Sequence, residues 1–418
     1  ATVGSTVAWT KDVPNLLAVV AGAAGPIILT TDGLTALRPD GTTLWTYHRQ
    51  AEYEDPLISP DGRHVVLRMS VPRSESDSDN VILVLDSLTG QVTSEHPARG
   101  KGIQLTDSVV LDVDIAYDLA DGSQRWTLPD DFEVANSHTK SAGHASLILE
   151  RRRENSDRSK PVLLVAPDTD PSAAVEVQGI PAEDVCRGQS EGKGVVVVNG
   201  WVAQYAEAPP EEKEADGEKL VESAAMQAVT LDSLAGLETS APIPLGRTAG
   251  VNYRASTASG TLALYPEYSV EEKKGNCSMI SSGGSDKAWV GAVFDPVSRT
   301  TTPASQYAGV AAAKVGVTIV REEETLAGAV VVQPGDGSDG ATIPIAPGST
   351  YLSFASYAQY GGGSGSCYLH TPVQLAGRCH GLDAVFKNAP GVTVVVFDPE
   401  DGTRSNYRRL YGLTGGVS

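Results

Sequence analysis

No stretch of this chain stays apolar for the ~18 residues that a membrane-crossing helix needs. The nearest approach is the run LLAVVAGAA at 16–24, closed by Gly25 and preceded by Lys11, Asp12 and Pro14. A secretory leader carries a basic region before its apolar stretch, so this run reads as a strand entering a turn. The chain starts Ala1-Thr2-Val3 rather than with Met. That start is compatible with a removed export signal or N-terminal anchor. Basic residues are scarce: 32 Lys and Arg stand against 52 Asp and Glu, for a net charge of −20. Such a surface repels phosphate backbones and anionic lipid, which excludes bulk nucleic-acid binding and disfavours adsorption to a membrane surface. Aromatics make up only 6% of the residues, so Val, Leu, Ile and Ala must fill the core. Helical periodicity is almost absent.

Cysteine is limited to Cys186, Cys277, Cys367 and Cys379, no two of them adjacent. An even number in a Gly-rich, acidic chain fits an oxidising compartment, and four cysteines allow three pairings. The local pair Cys367–Cys379, closing a loop after the Gly/Ser run at 361–366, is favoured. Cys186–Cys277 is then the remaining pair. Four buried free thiols are the alternative.

Turn formers are plentiful, with 43 Gly and 25 Pro, and they punctuate an internal repeat. Asp40-Gly41-Thr42-Thr43-Leu44-Trp45-Thr46 matches Asp121-Gly122-Ser123-Gln124-Arg125-Trp126-Thr127, and Trp9-Thr10 is a third Trp-Thr pair. Leu85-Asp86-Ser87-Leu88-Thr89-Gly90 matches Leu231-Asp232-Ser233-Leu234-Ala235-Gly236 at five of six positions. Val293-Phe294-Asp295-Pro296 pairs with Val396-Phe397-Asp398-Pro399. The shared grammar is an apolar run, Asp, a short turn and a second extended run, which is a β-hairpin. Asp caps the turn through backbone N–H groups, and Gly supplies the positive φ. Trp45 and Trp126 are placed near the start of the following strand, where an indole packs between neighbouring sheets. Asp40, Asp86, Asp118, Asp232, Asp295 and Asp398, with weaker markers at Asp168 and Asp336, give a unit of ~50 residues, the length of a four-stranded propeller blade.

VILVLDSLTGQV at 81–92 and LTALRPDGTTLWTY at 34–47 resemble the pyrroloquinoline-quinone-type (quinoprotein-like) β-propeller repeat. Ser59-Pro60-Asp61-Gly62-Arg63 resembles the hairpin of Tol-type and WD-like propellers. The resemblance implies one all-β domain over residues 1–418, a propeller of four-stranded antiparallel blades, with eight blades expected and seven the alternative. Such families place an N-terminal strand in the last blade, and Val7-Ala8-Trp9-Thr10-Lys11 has that character. The segment at 404–410 also reads as an outer strand of the last repeat.

The resemblance does not bring the family's enzymology with it. Quinone-dependent dehydrogenases of this fold resemble one another in a vicinal cysteine pair, absent here, and in a Ca²⁺ site of acidic and amide side chains. The run at 188–194 has three residues between glycines where a phosphate loop needs four, and Gly194 stands where a hydroxyl residue belongs. His370 and His380 flank Cys367 and Cys379, but the neighbours Cys379 and His380 point to opposite sides of an extended chain, which favours a disulfide over zinc. The acidic turn Glu75-Ser76-Asp77-Ser78-Asp79-Asn80 is a weak Ca²⁺ candidate, with a solvated turn preferred. No catalytic, cofactor-binding or metal-ligating residue is assigned, and no cofactor is expected.

Two inserts remain. The acidic segment EAPPEEKEADGEKLVE at 207–222 reads as a solvated loop with a short helix after Gly217, or as a partner-contact loop. Arg151, Arg152, Arg153, Arg158 and Lys160 form the one basic cluster. The expected function is a non-catalytic, extracytoplasmic binding or scaffolding module, secreted or surface-anchored, with a protein partner. It resembles, at fold level, the propeller lipoproteins of envelope assembly. The alternatives are a sensor or enzyme with a quinone, sugar or Ca²⁺-dependent site at the central channel, and a surface-layer component.

Overall fold

The computed structural model describes residues 6–54, 56–74, 77–100, 103–135, 142–151, 162–177, 197–207, 223–248 and 250–251, and beyond these the strands whose bounds are given below. Its contacts divide the chain into two compact units, residues 1–98 with 306–418 and residues 99–305.

In the first unit, Leu16–Gly22, Gly25–Thr30, Gly33–Leu37 and Thr43–His48 form a four-stranded meander, the first sheet. The second sheet contains His64–Ser74, Asp77–Asp86 and Val92–Pro97, and its leading strand is broken into Glu52–Tyr53 and Leu57–Ile58. Pro56, which has no N–H to donate to a ladder, lies between the two pieces. Val317–Arg321, Gly328–Val332 and Ala341–Ile345 form a further sheet. The closing sheet takes Val385–Ala389, Val392–Phe397 and Tyr407–Thr414 from the end of the chain and Thr6–Pro14 from its start. The N-terminal strand is therefore the outer strand, as its sequence predicts. The segment near 404–410 is not a second outer strand: Tyr407–Thr414 is the third strand, paired on both edges.

In the second unit, the third sheet is Ile103–Leu105, Val109–Asp112, Ile115–Asp118 and Gln124–Thr127. The fourth is Phe132–Val134, Ser146–Arg151, Val162–Pro167 and Val175–Glu176. The fifth has three described strands, Trp201–Tyr205, Ala224–Thr230 and Ile243–Thr248. The sixth is Gly250–Val251, Leu262–Tyr265, Ala292–Asp295 and Thr300–Pro303.

Burial explains the stacking. Strand Gly25–Thr30 is buried at five consecutive positions, which a sheet with one wet face cannot be. Its alternate residues serve opposite neighbours. Ile27 and Leu29 pack with Leu67, Leu83 and Leu85 of the second sheet, and Ile28 packs with Val392, Val394 and Leu410 of the closing sheet. The fourth sheet repeats the pattern: Leu147 and Leu149 meet Val109 and Leu111, while Ile148 meets Val202 and Leu231. Four-stranded antiparallel meanders, each packed face to face on its neighbour, are the blades of a β-propeller. The fold is all-β of that class.

Candidate interaction surface

In the first three sheets the connections between third and fourth strands are short and locked. In the first sheet Asp40 accepts from the N–H of Thr42 at 2.9 Å and from its hydroxyl at 2.6 Å, which lowers the Asp40 pKa. Asp86 accepts from the N–H groups of Leu88 and Thr89, and Asp118 from that of Ala120. The turns after the third strands of the first, second and fourth sheets each receive an indole. Trp9 Nε1 donates to the Pro39 carbonyl at 2.9 Å, Trp45 Nε1 to that of Ser87 at 2.8 Å, and Trp126 Nε1 to that of Asp168 at 2.7 Å. Trp45 and Trp126 thus bridge to the following sheet, as their sequence context predicts.

Buried polar side chains add links that the sequence does not announce. Ser87 Oγ donates to the Gly62 carbonyl at 2.7 Å and accepts from Ala23 N–H at 3.3 Å, joining the first two sheets. Asp168, a weak repeat marker, is 3% exposed and accepts from Thr106 and Ser108 at 2.6 and 2.9 Å. Asp232 departs from expectation. It does not cap its own turn as Asp86 does. It lies in the short helix Leu231–Leu234 and accepts from His144 N–H, Ala145 N–H and Ser146 Oγ at 3.1, 3.0 and 2.7 Å. Thr230 takes over the cap, accepting from Ser233 N–H at 3.1 Å. The Val-Phe-Asp match fails similarly: Val293–Asp295 ends a third strand, whereas Val396–Phe397 ends a second one.

Connections between second and third strands behave differently. In the first and third sheets they are tight turns, but among the described residues the second and sixth sheets extend them into further structure. His64–Ser74 and Asp77–Asp86 run on past their sheet partners as a ribbon with exposed distal residues. The acidic turn belongs to this ribbon: Asp77, Ser78, Asp79 and Asn80 are in the strand, and Asp79 pairs with Arg73 at 3.4 Å. A paired strand does not gather its oxygens as a Ca²⁺ loop does. In the fourth sheet the corresponding connection carries the basic cluster, of which only Arg151 is described; its guanidinium lies 6.0 Å from the Phe132 ring centroid.

The fifth sheet inserts a hairpin between its described strands Trp201–Tyr205 and Ala224–Thr230, and the sixth inserts one between its second and third strands. Lys213–Ala215 and Glu218–Val221 come from the fifth, Tyr268–Lys273 and Asn276–Ile280 from the sixth. The two hairpins join through Glu218–Val221 and Tyr268–Lys273 into an accessory four-stranded sheet. The expected helix after Gly217 is instead a strand. Glu218-Lys219-Leu220-Val221 has no period-2 alternation, so nothing local in this charged segment announces the strand.

Of the four cysteines, Cys277 lies in the accessory strand Asn276–Ile280. Cys186, Cys367 and Cys379, the histidines His370 and His380, the glycine-rich runs, Asp336 and Asp398 lie outside the described residues. Among the described residues no three His, Cys, Asp or Glu side chains are grouped to hold a metal ion, and no helix is long and apolar enough to cross a membrane.

No protein-family model and no curated protein matches the chain. Solved structures do. The chain is similar to BamB from Moraxella catarrhalis at 10% identity, over 98% of this chain and 99% of that one, with a TM-score of 0.37. It is similar to the β-propeller domain of the Trilobed protease from Pyrococcus furiosus at 10% identity, over 87% and 96%, with a TM-score of 0.35. TolB from Acinetobacter baumannii matches at 11% identity over 79% and 63%, with a TM-score of 0.26. Likenesses this distant say nothing about activity, and the fold rests on the sheets themselves.

Proposed function

We propose that this chain is a non-catalytic binding or scaffolding propeller of the extracytoplasmic envelope, with a protein partner. One observation carries the reading: in the first three sheets the turns between third and fourth strands are short and Asp-capped, whereas the fifth and sixth sheets insert charged hairpins that join into an accessory sheet. A rigid scaffold with variable loops suits recognition. The strong negative charge favours a partner with basic surface. Blades of the pyrroloquinoline-quinone type are part of this reading, supported by the recurrent docked indoles, and so is a single eight-bladed domain over 1–418.

The proposed location goes with the disulfides Cys367–Cys379 and Cys186–Cys277. Peptide mapping without reductant is expected to recover both cross-linked pairs from protein secreted into an oxidising compartment. Free thiols in all four peptides would remove that support. The function itself is tested by affinity capture from the native cell envelope, with the intact chain and a 207–222 deletion as baits. A protein retained by the first and lost with the second places the contact on the accessory sheet. Equal retention moves the contact elsewhere, and no enrichment over bare resin refutes the scaffolding role.

A further inference from the structure

We propose that the strand Asn276–Ile280 is an open docking edge that takes up an extended, lysine- or arginine-bearing segment of a partner protein as a fifth strand of the accessory sheet. The inference rests on the binding role above and goes beyond it by naming the edge, the mode and the partner chemistry.

The sheet runs Lys213–Ala215, Glu218–Val221, Tyr268–Lys273, Asn276–Ile280, so its first and last strands are its edges. Natural sheets blunt their edges with very short strands, proline and charge, because an unpaired row of N–H and C=O groups recruits other chains. One edge here is blunted on every count. Lys213–Ala215 spans three residues, two of them charged, and follows Pro209-Pro210-Glu211-Glu212. The other is not. Asn276–Ile280 reads Asn-Cys-Ser-Met-Ile, five residues with no proline and no charge, paired throughout to Tyr268–Lys273. Among the described residues, Tyr268–Lys273 is its one partner strand. Alternate backbone groups of an antiparallel edge strand point away from the sheet, which is the donor–acceptor row that strand addition uses.

Charge selects the partner's sign. Segment 207–222 holds seven acidic and two basic residues, and segment 266–276 three acidic and two basic. Glu218 and Glu271 occupy directly opposed register positions in the central pair. Like charges at opposed positions cost stability. A cationic strand added to this sheet reduces that repulsion, whereas an acidic one adds to it.

The test uses the full chain and a synthetic strand-length peptide alternating valine and threonine, with lysines at both ends. An equal-length peptide with glutamates is the charge control. A third peptide, N-methylated at alternate residues, keeps the lysines but cannot donate a full ladder. Lys273 and Asn276 pair across a two-residue turn, so the N–H groups of Asn276, Ser278 and Ile280 belong to the internal ladder and those of Cys277 and Met279 point outward. Titration calorimetry is expected to show binding of the lysine peptide, with affinity reduced about tenfold or more by N-methylation, by the glutamate ends and by Met279→Pro, which removes an outward N–H. Amide hydrogen exchange at Cys277 and Met279 should slow only when the lysine peptide is bound. Binding that survives N-methylation, or that leaves exchange at these two amides unchanged, overturns strand addition whatever becomes of Met279→Pro. Slow exchange at Cys277 and Met279 without any peptide shows an edge already covered and refutes the proposal. Absence of binding by the lysine peptide refutes the partner chemistry. If envelope capture still depends on 207–222 in that case, the binding role stands without it.

Discussion

Trp9, Trp45 and Trp126 each perform two tasks that a phenylalanine divides. The ring fills space against the next turn, and Nε1 satisfies a carbonyl that the turn leaves unpaired. Trp45→Phe keeps most of the packing and strands the Ser87 carbonyl, at an expected cost of about 1–3 kcal/mol by denaturant unfolding. The glycine beneath the ring is equally constrained. Gly90 has φ +71°, and a β-carbon there would lie 2.6 Å from the Trp45 indole. Gly236, at φ +73°, has open space around that position. Gly90→Ala should therefore cost the left-handed penalty of ~1–2 kcal/mol plus ~1–3 kcal/mol of overpacking, and Gly236→Ala the first alone. Equal losses in the two unfolding curves would mean the indole yields without cost.

His96 supplies the pH-dependent prediction at this scale. Burial holds its pKa below the ordinary 6.5, against an opposing pull from Glu95. The folded state therefore binds fewer protons than the unfolded chain just below that value. Stability is complete above pH ~6.5 and falls as pH drops from there through the lower folded pKa. Glu95 is itself held below 4.5 by the hydrogen bond from Arg49, so its contribution is lost only in a more acidic window. A series of urea midpoints should show both declines, and His96→Gln should remove the upper one and leave the lower.

At the scale of elements, the capped hairpins were legible because their chemistry is local. Asp40, Asp86 and Asp118 bond N–H groups within three residues of themselves, and a short sequence window contains donor and acceptor together. Asp232 was misread for the complementary reason. Its donors are 86 to 88 residues away, and nothing in Leu231-Asp232-Ser233-Leu234 distinguishes it from Leu85-Asp86-Ser87-Leu88. The accessory sheet escaped similarly, since it joins two inserts separated by four described sheet strands and a short helix. The Asp232 difference is measurable. Asp86→Ala removes a partly exposed cap, worth about 0.5–2 kcal/mol. Asp232→Ala strands donors from three consecutive residues in a buried site, for an expected loss of roughly 2–4 kcal/mol. Comparable chemical-denaturation losses would show that the long-range link contributes no more than a surface turn.

At the largest scale, the two ends of the chain meet within the first unit through Thr6–Pro14, which pairs with Tyr407–Thr414 over its full length. Trp9 of this strand lies across Gly412, where an added β-carbon would sit 1.9 Å from the indole, and also against Gly41 of the first sheet. One short strand thus ties the last strands of the chain to the first complete sheet, by a ladder and by an indole seated on two glycines. Deleting residues 1–14 leaves Tyr407–Thr414 as an unprotected edge and opens the apolar contacts of Val13 with Leu410 and Val394. An exposed edge of alternating character recruits other chains. The truncated protein is therefore expected to bind a hydrophobic dye and to elute from size exclusion as larger species. A synthetic peptide of residues 1–15 added in trans should return the elution position of the intact protein, whereas the same peptide with Trp9→Ala should do so only at higher concentration, because it restores the ladder without the docked ring. A truncated chain that elutes and melts with the intact protein would locate the stabilising energy in the remaining sheet contacts and leave the N-terminal strand a passenger.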